Sequence, residues 1–278
     1  MSLFALDIGG STIDLVEIDS DTKAILSSAS LESGGRNKNN LSGILPEFLA
    51  FPKILKNGEL VITGGHSRFF PKTEKICGIT ITLQMVHEFE AIARGGLLLS
   101  GKTEGLVISL GTGTAMVSAQ ETQWTHVRGT GIGGGTFLGL GRALLGSDSF
   151  EELRALSEQG DIARIDLSVG EIVGGDLDGL SADATASHFA KYSPEYSRKE
   201  DIALGIARLV GQGIALLALE KAKNYHHQNI ILGGKLTRLT PVVALIRETG
   251  EMFGKNILLP PHADILTAIG AAYSFLDS

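Results

Sequence analysis

Apolar positions recur along the chain in short runs, continuous or alternating, that close on turn-forming residues: 3–8, 12–18, 60–63, 106–110, 115–119 and 230–232. Runs of this length punctuated by glycine predict the central strands of sheets. Helical signals alternate with them. Ser149 with Glu152, and Ser197 with Glu200, fit the capping box, in which the serine hydroxyl and the glutamate satisfy the first free backbone N–H groups. From Asp201 to about Tyr225, Ile202, Ile206, Leu209, Val210, Leu216 and Leu217 fall at helical spacing, which predicts one long helix with a buried face. Strands and helices in alternation predict an α/β fold.

An internal repeat refines that expectation. Asp7, Ile8, Gly9, Gly10, Ser11 and Thr12 join two apolar runs, and Ser109, Leu110, Gly111, Thr112, Gly113 and Thr114 do the same further on. The diglycine Gly64–Gly65 after the run at 60–63 is echoed by Gly233 and Gly234 after the run at 230–232. Two halves, each with a hairpin first and a strand plus diglycine later, describe a duplicated domain with a cleft between the copies. The expected division is a first lobe at 1–95 and a second at 96–278. The polar stretch at 34–40 is expected to be a surface loop between a strand and a helix.

With 278 residues the chain can bury a core in each of two lobes. Thirty-six glycines against 7 prolines, with 43% hydrophobic residues, describe a globular protein rich in tight turns. The net charge of −7 has no basic block behind it, so neither nucleic acid nor an anionic membrane is an expected partner. A single cysteine, Cys77, excludes an internal disulfide and any multi-cysteine metal site, and is expected to be a buried small apolar side chain. The first residues run into a strand without a basic region or a long apolar stretch, so the expectation is a cytoplasmic protein with no membrane span.

Glycine-rich turns let backbone N–H groups approach phosphate oxygens, and the hydroxyls of Ser11, Thr12, Thr112 and Thr114 add donors. One such turn is ordinarily just a hairpin, but two facing each other can clamp a polyphosphate through Gly9, Gly10, Gly111 and Gly113. Asp7, at the end of the first strand, is placed to reach Mg²⁺ directly or through water, because this ion takes one or two carboxylates plus phosphates. A turn aspartate bonding its own backbone is the alternative. A third cluster at 129–136, containing Gly133, Gly134 and Gly135, reads as a loop feeding a helix N-terminus, which attracts anions. Gly233 and Gly234 would let a flat purine lie against backbone. The segment 96–103 matches the Walker A expression, but three leucines fill its loop, a helical segment precedes it and a strand follows. That is the reverse of a P-loop's order, so it is expected to connect a helix to a strand.

These clusters, in this order, resemble the type II pantothenate kinases, members of the superfamily of sugar kinases, actin and heat-shock chaperones. The resemblance rests on Asp7 to Gly10, Thr63 to Gly65, His87 to Ala91, Gly111 to Gly113, Gly133 to Leu140, Gly174 to Asp176, Ala186 to Phe189 and Ala268 to Ala271. It implies a duplicated ribonuclease-H-like, actin-like two-lobed fold with central mixed sheets, a homodimer, and Mg-ATP-dependent phosphorylation of a primary hydroxyl, that of pantothenate. Glu88 then matches the family's catalytic base, a role in which a carboxylate takes the proton of the acceptor hydroxyl as the phosphoryl group arrives. Glu90 would be a second, structural acidic residue.

Three positions depart from the family's pattern: Asp14 stands where it has a lysine, Ala115 where it has a serine beside the acceptor, and His126 where it has an arginine. Arg128, two residues on along what reads as the same strand, is expected to share the face of His126 and restore the charge. The resemblance thus implies Glu88 and Arg128 as catalytic residues, and an acceptor site of Glu88, Thr112, Ala115, His126 and Arg128. The altered trio leaves open a same-fold kinase for another acceptor, such as a sugar, and a nucleotide-binding regulator that transfers no phosphate remains a further alternative.

Overall fold

The computed structural model describes residues 2–34 and 40–277, so residues 35–39 of the expected polar loop lie outside the described residues. Among the described residues, the first sheet holds β1 (Ser2–Ile8), β2 (Thr12–Asp19), β3 (Ile25–Glu32), β4 (Glu59–Thr63), β5 (Thr73–Ile76) and β6 (Ile79–Met85). The later strands are β7 (Glu104–Leu110), β8 (Thr114–Gln120), β9 (Gln123–Thr130), β10 (Leu167–Ser168), β11 (Thr185–Ser187), β12 (Asn229–Gly233) and β13 (Asn256–Leu258). The sheets run β3-β2-β1-β4-β6-β5 and β13-β12-β7-β8-β9, with β10 and β11 forming a small ribbon.

In both sheets three antiparallel strands come first, and a later strand then pairs parallel with the first of them, β4 on β1 and β12 on β7. A further parallel strand follows on each, β6 on β4 and β13 on β12. The repeat in the motifs is therefore a repeat of topology, and the architecture is the duplicated ribonuclease-H-like one.

The helices are α1 (Leu41–Ile44), α2 (Phe51–Asn57), α3 (Glu88–Ser100), α4 (Gly134–Leu145), α5 (Phe150–Ser157), α6 (Val169–Val173), α7 (Lys199–Asn224), α8 (Thr240–Met252) and α9 (Leu266–Leu276). Strand alternation sorts the core. Phe4, Leu6 and Ile8 of β1 pack with Leu41, Ile44 and Ile54 outside the first sheet, while Leu3 and Ala5 pack with Ala268 and Ala272 of α9. β7 repeats the division: Leu106, Ile108 and Leu110 join Ile206, Val210 and Val242 of α7 and α8, and Val107 joins Ile92 and Leu97 of α3. Asp7 continues the inner face of Leu3 and Ala5, and Ser109 continues that of Val107. α3 and α9 fill the space between the sheets and approach so closely that a methyl group on Gly270 would lie 1.9 Å from the carbonyl oxygen of Ala91. The last helix thus packs on the first sheet and, through α3, against the second.

Several local expectations are corrected. Cys77 is exposed, not buried. It forms, with Gly78, the two-residue turn between β5 and β6, where both have positive φ (50° and 81°), the geometry of a tight hairpin whose side chains point outward. Ser197 does not open α7: its hydroxyl accepts from the N–H of Ser193, and Arg198 occupies the cap. Ser149 does cap α5, accepting from the N–H of Glu152 at 3.4 Å, but the carboxylate of Glu152 is engaged by Ser147. A reciprocal capping box forms instead at Ser168 and Glu171, opening α6. On α7, Ile202, Ile206 and Val210 are buried as expected, whereas Leu209 and Leu216 face outward. α7 has the length and apolarity of a membrane span, but 56% of its apolar window is buried inside the protein, as in a core helix. Residues 96–100 of the Walker-like segment are the last turns of α3 and Gly101 caps it in the left-handed region, so no phosphate-binding loop exists there.

Candidate active site

The turn from β1 to β2 is closed by the N–H of Gly9 donating to Thr12 O at 3.0 Å, and the turn from β7 to β8 by the N–H of Gly111 donating to Gly113 O at 2.9 Å. The two turns face each other across a cleft of about 1250 Å³ and touch through the hydroxyls of Ser11 and Thr112, 2.7 Å apart. Position 10 is tightly packed against the second turn, since a Cβ there would lie 2.5 Å from Thr112 Oγ1 and force that side chain to shift. Ser33, buried behind the first turn, fixes it by donating its hydroxyl to Gly10 O and its N–H to Ser11 O, both at 2.8 Å. The second turn is braced by the third glycine cluster, where the N–H groups of Gly134 and Gly135 donate to Gly111 O and Thr112 O at 2.8 Å.

Asp7, Gly9, Gly10, Ser11, Thr12, Glu88, Gly111, Thr112, Gly113, Ala115, Gly134 and Gly234 all line this cleft. Gly133 and Gly135 stand against the back of the second turn, where added methyls would meet Thr112 O, and Gly233 packs on the side chain of Leu266. His126 and Arg128 lie on β9 and do not themselves line the cleft, although β9 pairs with β8 beside the lining residue Ala115. The ring of His126 stacks on Phe89 with centroids 3.9 Å apart. Between His126 and Arg128 the register against β8 shifts by a bulge, and Arg128 has φ of 99°, so simple alternation does not relate the two side chains.

Two carboxyl groups in the cleft hold their protons unusually well. Burial, reinforced by the charges of Asp14 and Glu88 and opposed by Lys235, pushes Asp7 well above the usual carboxylate range. Burial also raises Glu88, with His87 opposing it. Glu88 begins α3 directly after the cap His87, whose Nδ1 accepts from the N–H of Phe89 at 3.2 Å. A helix N-terminus favours a carboxylate, yet burial outweighs that here. Beside Asp7 in the ladder, Thr63 Oγ1 is buried and without a hydrogen-bond partner among the described residues. Concentrated carboxyl groups and an orphaned hydroxyl suit a cation with its water shell, so Asp7 fits Mg²⁺ bound mainly through phosphates and water. No cluster among the described residues forms an all-protein metal cage.

Some site residues, Gly64, Gly65, Lys235, Arg142 and Arg238 among them, were not assigned a place in the site from sequence, whereas Gly234 was. Gly64, with φ of 93°, lets β4 end against Ile8 O and Asp7, and Gly65 lies beside Glu88. Gly234, with φ of 90°, does the same against Leu110 O in the second lobe. The repeated diglycines were the available signal for both. Lys235, Arg142 and Arg238 bring positive charge to the cleft wall. Leu138, Phe150 and Leu236 give its second-lobe end an apolar lining.

A family model described as Fumble matches residues 102–273. The chain is 28% identical to a type II pantothenate kinase from Bacillus cereus (strain G9842), over 77% of this chain and 80% of that protein. It is 35% identical to pantothenate kinase 1 of Arabidopsis thaliana over 62% of this chain, which spans about half, 48%, of that protein. Among solved structures, it is similar to the activator of 2-hydroxyisocaproyl-CoA dehydratase from Clostridium difficile with bound ADPNP (TM-score 0.66, 17% identity, covering 100% and 95% of the two chains). It is also similar to a ROK family glucokinase from Streptomyces griseus in complex with glucose and AMPPNP (TM-score 0.60, 14% identity, 99% of each chain). At such identities these two structures speak to the fold alone.

Proposed function

Because the chain belongs to the Fumble family, the type II pantothenate kinases, we propose that it is an ATP-dependent phosphotransferase that phosphorylates the primary hydroxyl of pantothenate. The observation that carries this reading is the convergence of both glycine turns, Asp7 and Glu88 on one cleft. The turns Gly9 to Thr12 and Gly111 to Thr114 hold the phosphates through those N–H groups and hydroxyls that do not close the turns themselves. The adenosine end lies toward Gly234, Leu236 and Leu138. Mg²⁺, held by Asp7 with phosphates and water, neutralises phosphate charge when bound.

Glu88 takes the hydroxyl proton while the acceptor oxygen bonds to the γ-phosphorus, and the bond from that phosphorus to the bridging oxygen breaks to release ADP. A carboxyl group raised by burial is a stronger base once ionised than an ordinary glutamate, which suits it to this transfer near neutral pH. Ala115 and Thr112 contribute to the acceptor side, with His126 and Arg128 on the adjoining strand. The same reading makes the protein a cytoplasmic homodimer, with the outward Leu209 and Leu216 of α7 offered to the second copy.

A kinase of this fold for a different acceptor is the second reading. It is supported by the three acidic groups Asp7, Asp14 and Glu88 in the cleft, which disfavour an acceptor that itself carries a carboxylate. A coupled assay of ADP release with pantothenate, pantetheine and glucose as acceptors separates the two. Turnover with pantothenate is expected, and turnover only with another acceptor would replace the first reading by the second.

A further inference from the structure

The short 3-10 turn Lys235–Arg238 after β12 sends one side chain across the cleft. Lys235 Nζ lies 2.8 Å from Asp14 Oδ1 on β2 and donates to Ser30 Oγ on β3 at 2.8 Å, while Asp264 on its own side is at 3.4 Å. Asp14 is 5% exposed and has other partners: its Oδ1 accepts from Ser30 Oγ at 2.5 Å and its Oδ2 from Thr12 Oγ1 at 3.2 Å. Thr12 belongs to the first glycine turn, so the pair sits at the edge of the surface that faces phosphate. Among the described residues, the other cations of the cleft wall pair with acidic neighbours, Arg142 with Asp148 and Arg238 with Glu151.

A lysine head is a compact charge on a flexible stem, and it can move some ångströms without disturbing the backbone. The phosphates of ATP present several negative charges where Asp14 presents one. When the lysine leaves, Asp14 keeps two hydroxyl donors, so its charge is not orphaned. We propose that Lys235 is the phosphate-binding cation of this cleft, held by Asp14 when nucleotide is absent and transferred to the terminal phosphates when ATP binds. This rests on the reading of the cleft as an ATP site. Asp14 is then a holding partner for Lys235 and touches no substrate.

Calorimetric titration of the full chain with ATP, ADP and AMP in the presence of Mg²⁺ tests this. Lys235→Met should weaken ATP binding on the order of tenfold, the scale of one lost charge-assisted hydrogen bond, with a smaller loss for ADP and none for AMP. Asp14→Asn should strengthen ATP binding, because it frees the lysine, and Asp14→Lys should restore affinity in the Lys235→Met background. If the pair were only a strut between the lobes, both single substitutions would break the same contact and shift ATP affinity in the same direction. That result, or unchanged ATP affinity in Lys235→Met, would overturn the assignment while leaving the nucleotide site intact. Failure of the unmutated chain to bind ATP would overturn the nucleotide reading and this assignment with it.

Discussion

Glu88 and Asp7 are held in an environment that opposes their ionised forms, and this sets the sign of two effects. A base must be deprotonated to act, so kcat/KM should rise with pH through the raised pKa of Glu88 and level off above it. Glu88→Gln should cut transfer by about 10²- to 10⁴-fold, abolish that limb of the profile and leave ATP affinity unchanged by titration. For Asp7 the folded pKa lies above the unfolded one. Its contribution to stability is therefore fully present below the unfolded pKa and lost as pH rises toward the folded value. At neutral pH, Asp7→Asn should raise the melting temperature of the nucleotide-free protein, by roughly 2–4 °C for each kcal/mol relieved, while removing Mg²⁺-dependent ATP binding. Scanning calorimetry at pH 5 and pH 7 checks the sign, since the gain should shrink at the lower pH. Cys77, at the tip of its hairpin, should react with a thiol reagent in the native protein without loss of activity. At this scale the place of Asp7 and Glu88 in one cleft was legible, Asp7 from its glycine hairpin and Glu88 from the family resemblance. The Lys235–Asp14 pair and the brace at Ser33 were not, because only the folded chain brings those side chains together.

Among the elements, strands were more legible than helix faces. The central strands appear at their expected places because an apolar run bounded by glycine has few alternatives, whereas β9 and β13 carry too few apolar residues to stand out. α7 is apolar around most of its circumference, so spacing alone did not separate buried Val210 from exposed Leu216. The α3–α9 contact depends on two glycines that no periodicity marks. Gly95 lies against Leu266 O and Gly270 against Ala91 O. Since α3 carries Glu88 at its first position, this crossing also positions Glu88. Gly270→Ala should destabilise the fold by about 1–3 kcal/mol or more through overpacking and lower kcat by displacing α3. Urea unfolding together with steady-state kinetics checks it, and a variant with unchanged stability and kcat would show that the crossing has room to spare.

At the scale of the whole molecule, the duplicated hairpins and diglycines make the two sheets legible in the sequence, because duplication leaves the same turn chemistry twice. The return of α9 to the first sheet was not visible, since an alanine-rich helix carries no mark of the surface it will cover. The consequence is a cleft whose floor, formed by the ends of β1 and β7, is shared by both sheets and into which Glu88 is presented by the helix packed between them. On the proposed reading, nucleotide and acceptor meet at Glu88 in that cleft. The most direct measurement is ADP release by the full chain with Mg-ATP, with and without pantothenate, alongside Glu88→Gln. Pantothenate-dependent release that disappears in the variant, with ATP binding retained, is the predicted result. ADP release indifferent to pantothenate, or a Glu88→Gln variant as active as the unmutated chain, would contradict it.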